Sequence, residues 1–163
     1  MEQEDPHVIF THTDRGGCKR DGHGGAKVLN GRIYLTPEGG MAVKMTAAEG
    51  MAQGEIVYMN LTGVGGQVWK APVDSDMPIG TVYDASATAG GEVWISTAGI
   101  GFAKLTDAVA PTIGNIITTS ASARGLGDQA AAIPSVAKHY KEIGHFIESG
   151  VAGQPARAIL HFN

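Results

Sequence analysis

The sequence predicts a mainly β protein: a small β-barrel or β-sandwich body with one or two short helices, preceded by an extended N-terminal arm. Three observations predict it. The 163-residue chain holds 24 glycines, about twice the ordinary share and without a collagen period, which marks many turns and hence many short strands. Charged residues make up 17% against about 25% in a typical globular chain, so the Glu, Lys and Arg that fill long exposed helices are scarce. From Met41 onward, short apolar or alternating segments recur, most with a glycine at or near the start.

Taken in order, residues 1–40 stand apart. HTDRGGCKRDGHGG, from His12 to Gly25, is polar and glycine-rich, and is locally basic through Arg15, Lys19, Arg20 and, just beyond, Lys27. It has neither a strand nor a helix period and reads as an arm or extended loop. A short strand, GRIYL (Gly31 to Leu35), lies near its end, and the TPEGG that follows is turn chemistry. The body then spans 41–163. Its segments are MAVKM, GEIVYMN, GQVWKA, IGTVYDA, GEVWIST, GFAKL, GNIITTS, IGHFIES and ARAILHFN. Valine, isoleucine, tyrosine and tryptophan stand where a half-buried pleated surface takes them. In GEVWIST, Val93 and Ile95 alternate with Glu92, Trp94 and Ser96, giving one aliphatic and one mixed face. The segments share a shape but no fixed period, so they are not repeats.

Two stretches break the rhythm. AAEGMAQ (Ala47 to Gln53) offers a helical turn, but Gly50 weakens it and a loop into the next strand is the better reading. GDQAAAIPSVAKHYKEIG (Gly127 to Gly144) is the best helix candidate, split by Pro134. Ser135 would start a short helix and Gly144 would end it, although Lys138 stands where a capping box needs Glu or Gln.

The bulk numbers exclude several classes. A formal net charge of −4 lacks the basic excess of a nucleic-acid binder. No apolar run approaches the roughly 18–20 residues that span a bilayer, so no membrane partner is expected. The single cysteine, Cys18, rules out an internal disulfide and fits a reducing compartment. The opening MEQEDPHVIF lacks the basic-then-apolar order of a secretory signal. The expectation is a soluble protein made in a cytoplasm.

Catalytic motifs are missing. His7, His12, Cys18 and His23 gather three imidazoles and a thiol, but H-x4-H-x5-C-x4-H matches no compact zinc module, and a polar arm that carries histidines explains it better. G-x-S-x-G does not occur. Cys18 has Lys19 and Arg20 beside it, which favours a thiolate, yet its segment shows no rigid support. Asp74 and Asp76, in PVDSDMP, lack the further oxygen ligands of a calcium loop and read as a polar loop between strands. TGVGGQVWK and GIGFAKL lack the phosphate-loop pattern and read as hairpin turns; RGLGDQ is a similar glycine loop. Trp69 and Trp94 fall on strands, where packing is the commoner use. No enzyme, cofactor or metal site is expected.

The pattern as a whole resembles the capsid decoration (cement) proteins of tailed bacteriophages. A glycine-led strand (GEIVYMN), a middle pair (GEVWISTAGIGFAKL) and a polar strand ending TTSASARG precede the hairpin KEIGHFIESGVAGQPARAILHFN. The residues that match the family's closing hairpin are Ile143, Gly144, Ile147, Glu148 and Gly150, then Ala156, Ala158, Ile159 and Leu160. The resemblance covers roughly 41–163, and residues 1–40 depart from it. It implies a compact, β-tulip-like body without catalytic residues, on the outer surface of an expanded capsid. Such proteins are usually trimers at local three-fold positions that cross-link coat subunits. The implied partners are the major capsid protein and two further copies of the chain.

For that role the arm supplies the candidate capsid contacts. Arg15, Lys19 and Arg20 would pair with acidic coat residues, and Val8, Ile9 and Phe10 would add a strand to a coat or sister-subunit sheet. The last strand, Ala156 to Phe162, is expected inside the body's sheet or paired across a trimer, since an open edge invites aggregation. Two rival readings stand beside this one. One is a glycan- or host-surface-binding module using Trp69, Trp94 and tyrosines. The other is a trimeric β-barrel hydrolase that would draw on His139, His145 and His161 at an interface.

Overall fold

The computed structural model describes residues 19–20, 27–29, 31–60, 66–106, 108–131 and 140–162. Among the described residues the secondary structure consists of fourteen strands: β1 (Lys19–Arg20), β2 (Lys27–Leu29), β3 (Ile33–Leu35), β4 (Gly40–Ala47), β5 (Met51–Ala52), β6 (Ile56–Tyr58) and β7 (Gln67–Lys70) come first. They are followed by β8 (Gly80–Val82), β9 (Ser86–Ala87), β10 (Glu92–Lys104), β11 (Ile116–Thr119), β12 (Gly127–Ala130), β13 (Glu142–Phe146) and β14 (Pro155–Leu160). The mainly β class holds, and among the described residues there is no helix.

Twelve strands form one sheet in the order β1-β2-β3-β4-β7-β6-β8-β10-β14-β13-β11-β12, with a further β4–β10 pairing; β5 and β9 pair separately. The order begins at β1 and ends at β12, which do not pair with each other, so the twelve-stranded sheet as a whole is not closed into a barrel, while the β4–β10 pairing completes a ring of β4, β7, β6, β8 and β10 within it. The sheet turns on β10. GEVWIST and GFAKL, read as two segments, are one 13-residue strand. Its first half pairs with β4 from Glu92↔Thr46 to Gly99↔Gly40. Its other edge takes β8 at Ile95 and Ser96, then β14 from Gly99↔Leu160 to Lys104↔Pro155. The glycines of GIGFAKL are therefore not a hairpin turn. The β4 register shifts between Ser96 and Ala98, and Gly99 follows at φ 75°, which bends the strand without ending it.

Two cores result. Ala47, Met51, Val57, Val68, Val82, Val93 and Ile95 form the first, with Met45, Ile79 and Ala87 against it. Ile56, Ala71, Ala103, Leu105, Ile117, Ile143, Phe146, Ala156, Ala158 and Leu160 form the second, with Phe162 packed on it. β14 lies between β10 and β13, so the closing strand is an interior strand of this chain's own sheet. Charged groups reinforce the junction between the halves. Arg124 grips Glu49 with two bonds, Nη1 to Oε2 at 3.1 Å and Nη2 to Oε1 at 2.6 Å. Glu55 accepts from Lys70 Nζ at 3.0 Å, and the Ile56 N–H donates to the Gly125 carbonyl at 2.7 Å.

Three local expectations change. The stretch read as a helix from Gly127 to Gly144 begins and ends in strands. Gly127–Ala130 pairs with β11, and the Asp128 carboxylate holds the turn by accepting from Ser120 Oγ and the Ala121 N–H, each at 2.9 Å. Sheet pairing here overrides the helix propensity of DQAAA; residues 132–139, with Ser135 and His139, lie outside the described set. Within the segment read as aperiodic, Lys19–Arg20 pairs with Lys27–Leu29, and β2 and β3 carry that ladder onto β4. In the AAEGMAQ loop, Met51–Ala52 makes a short pair with Ser86–Ala87.

Candidate functional site

Of the six residues proposed to touch a partner, Val8, Ile9, Phe10 and Arg15 lie outside the described residues, as do His7, His12, Cys18 and His23. Lys19 and Arg20 form β1, the first strand in the sheet order, paired with β2 on one edge. Among the described residues no strand pairs with its other edge, and the end of a sheet is where a further strand can be added.

The aromatic side chains pack mainly on one another. Tyr34 lies 5.5 Å from Trp94 and 5.8 Å from Tyr83, measured between ring centroids, and Tyr83 lies 6.0 Å from Phe102. The Lys44 ammonium sits 5.2 Å over the Trp94 ring. Tyr83 Oη donates to Glu38 Oε2 at 3.0 Å, and burial, with that carboxylate, pushes the phenol well above its ordinary range. Trp69 rests against Tyr58 at 6.4 Å. Both tryptophans are on strands, as read from the sequence, and each has an aromatic neighbour. Asp74 and Asp76 sit in the loop between β7 and β8, where Lys141 Nζ reaches Asp74 at 3.0 Å.

Exposed apolar residues lie on two loops joined by hydrogen bonds, the one before β11 and the β13–β14 turn. The Gly150 N–H donates to the Pro111 carbonyl at 3.0 Å and the Ile113 N–H to Ser149 Oγ at 3.2 Å. These bonds hold the loop before β11 beside the β13–β14 turn. Ile113 and Val151 stand out of them, 61% and 69% exposed. Neither is marked in the sequence, because both lie in loops where no period applies.

The densest chemistry among the described residues is Glu142, His145 and His161. In a regular strand Glu142 and His145, three apart, would face opposite sides of the sheet. β13 is not regular. Against β11 it pairs Ile117↔Gly144 but Thr118↔Glu142, leaving one extra residue on β13. This bulge reverses the alternation and brings Glu142 to the side of His145. Gly144, at φ 150°, sits in the bulge, where an added Cβ would strike the Ile159 carbonyl. On β14, His145 pairs with Ile159, and the His161 N–H donates to the Ile143 carbonyl at 3.0 Å, so His161 falls on the same side.

The outcome is convergent. His145 Nε2 is 3.2 Å and His161 Nε2 3.4 Å from one oxygen, Oε1 of Glu142, and the two rings lie 5.2 Å apart. The Glu142 residue is 5% exposed, while both imidazoles are open to solvent on one side at just over 40%. Of the three late histidines, His145 and His161 are therefore brought together, and His139 lies outside the described residues. The signal present in the sequence was the glycine inside EIGHF, since a lone glycine in a strand pattern marks a bulge.

No protein family and no curated protein matches the sequence. The fold is similar to a crystal structure, the head fiber gp8.5 N base in bacteriophage phi29, with a TM-score of 0.53 at 13% identity, over 74% of this chain and 92% of that one.

Proposed function

We propose that this chain is a non-catalytic structural protein of a phage virion. In this reading it binds the outer surface of an expanded capsid as a trimer at local three-fold positions and stabilises it by cross-linking coat subunits. It is made in the host cytoplasm, and its partners are the major capsid protein and its own copies. The observation that carries this reading is the likeness of fold to the head fiber base, which takes in nearly all of that structure. Two features of the chain support it. Among the described residues β1 is paired on one edge only, which leaves an edge for pairing with another chain, and it follows the proposed contacts Val8, Ile9, Phe10 and Arg15 in sequence. Ile113 and Val151 give the other half an apolar contact surface. Three equivalent contacts from a trimer would bind far more tightly than one, through effective concentration.

The test is co-sedimentation of purified protein with expanded, undecorated capsids across a concentration series. Saturation at a fixed ratio of copies to coat subunits is expected, with sharp weakening on deletion of residues 1–27 while the β spectrum persists. Absence of binding at micromolar concentration by a folded sample overturns the proposal. A specific hit on a glycan array in that case would assign the aromatic residues to a glycan- or host-surface-binding module.

A further inference from the structure

The geometry points to a divalent metal site of the zinc class, built by Glu142 and His145 of β13 and by His161 just after β14. Two ligand atoms bound to zinc at about 2.0–2.1 Å, at tetrahedral angles, lie roughly 3.4 Å apart. The separations of the two imidazole nitrogens from Glu142 Oε1, 3.2 and 3.4 Å, are that edge length. All three donor atoms fall within 4.8 Å of one another. An ion seated among them replaces direct contact between imidazole and carboxylate by three metal bonds, with little movement of the chain.

The donor set selects the ion. Two imidazoles and one carboxylate suit zinc and its neighbours among the transition metals, whereas calcium and magnesium favour oxygen donors throughout. The backbone is already arranged for it. The β13 bulge turns Glu142 toward the histidines, and the strand pairing that joins His145 to Ile159 holds His161 two residues further along the same side. Glu142 approaches from the protein interior, while the half-exposed imidazoles leave the outer side to water, which takes the fourth position. Bound there, the ion ties β13 to the residues that follow β14 and so locks the closing strand into the second core.

The experiment uses the full chain, stripped with EDTA and titrated with zinc chloride by calorimetry. It includes a variant without the arm's donors (His7→Ala, His12→Ala, Cys18→Ser, His23→Ala). That variant is expected to keep one site of micromolar affinity or tighter. Adding His145→Ala and His161→Ala should weaken this site by well over about 100-fold, more than loss of an outer-shell partner costs, because a single carboxylate is left. At zinc about 100-fold above Kd, the melting temperature of the arm variant should rise on the order of 5–10 °C. The histidine-deficient variant should show no such rise. His161→Asn serves if the double change prevents folding, because it leaves β13 intact. Cobalt in place of zinc should give the visible bands of a tetrahedral ion. No zinc uptake by the arm variant, or equal uptake after loss of His145 and His161, overturns the site.

Discussion

Ile56 and Val57 are adjacent in β6, neither has exposed surface, and they belong to different hydrophobic cores. Alternation along the strand sends Ile56 into the core with Phe146 and Leu160, and Val57 into the core with Val68 and Val93. β6 is thus a wall common to both halves, and damage on either face should be felt in both. Ile56→Ala is expected to remove about 2–5 kcal/mol, and Val57→Ala somewhat less. Urea unfolding followed by tryptophan fluorescence and by far-UV circular dichroism should give coincident transitions in each variant. Separate midpoints for the two probes would show that the cores unfold independently.

Thr81 and Ser96 face each other across the β8–β10 pair, fully buried, and neither hydroxyl has a hydrogen-bond partner among the described residues. A buried hydroxyl without a partner costs about 1–3 kcal/mol, and replacing it with an apolar group of like shape removes that cost. Thr81→Val is nearly isosteric and should therefore raise stability, by roughly 1 kcal/mol. Ser96→Ala should do the same in smaller measure. A fall in the urea midpoint of Thr81→Val would refute this account of the pair.

Gly144 has both a backbone and a steric reason to be glycine: φ of 150° and the Ile159 carbonyl where a Cβ would stand. Gly144→Ala should cost about 2–4 kcal/mol, from strain at this φ plus displacement of β14. Zinc binding is the sharper readout, since loss of the bulge would turn Glu142 away from His145. A variant of wild-type stability would show that β13 accommodates a side chain there.

Arg157 holds the Glu148 carboxyl below its ordinary range. Its backbone N–H donates to Oε1 and its Nε to Oε2, each at 2.8 Å, and these bonds outweigh partial burial, which acts the other way. The unfolded chain therefore binds this proton more readily than the folded one. The stability that follows is present above the ordinary carboxylate range and is lost as the pH falls through the lowered folded value. Glu148→Gln should melt below the wild type near neutral pH, and the two curves should converge as the pH falls through the lowered folded value. A gap that does not change with pH would assign the loss to packing instead.

What the sequence determined by itself is what local physics decides. Alternation and β-branched residues mark Met41–Met45, Val93–Ile95 and Ala156–Leu160 as strand, and glycines at turns separate many of the short segments. Both tryptophans could be placed on strands from their neighbours alone, and Asp74 and Asp76 in a loop from their prolines. Tertiary structure decided the rest, because it depends on partners distant in the chain. DQA became strand because β11 lay beside it, and β4 and β14 together carried β10 through Gly99 where a turn was read. Glu142, His145 and His161 show the limit most directly. Counting by twos puts Glu142 and His145 on opposite faces, and one extra residue against β11 puts them on the same face. A bulge is a property of a pair of strands, so its effect on side-chain direction emerges only once the pairing exists.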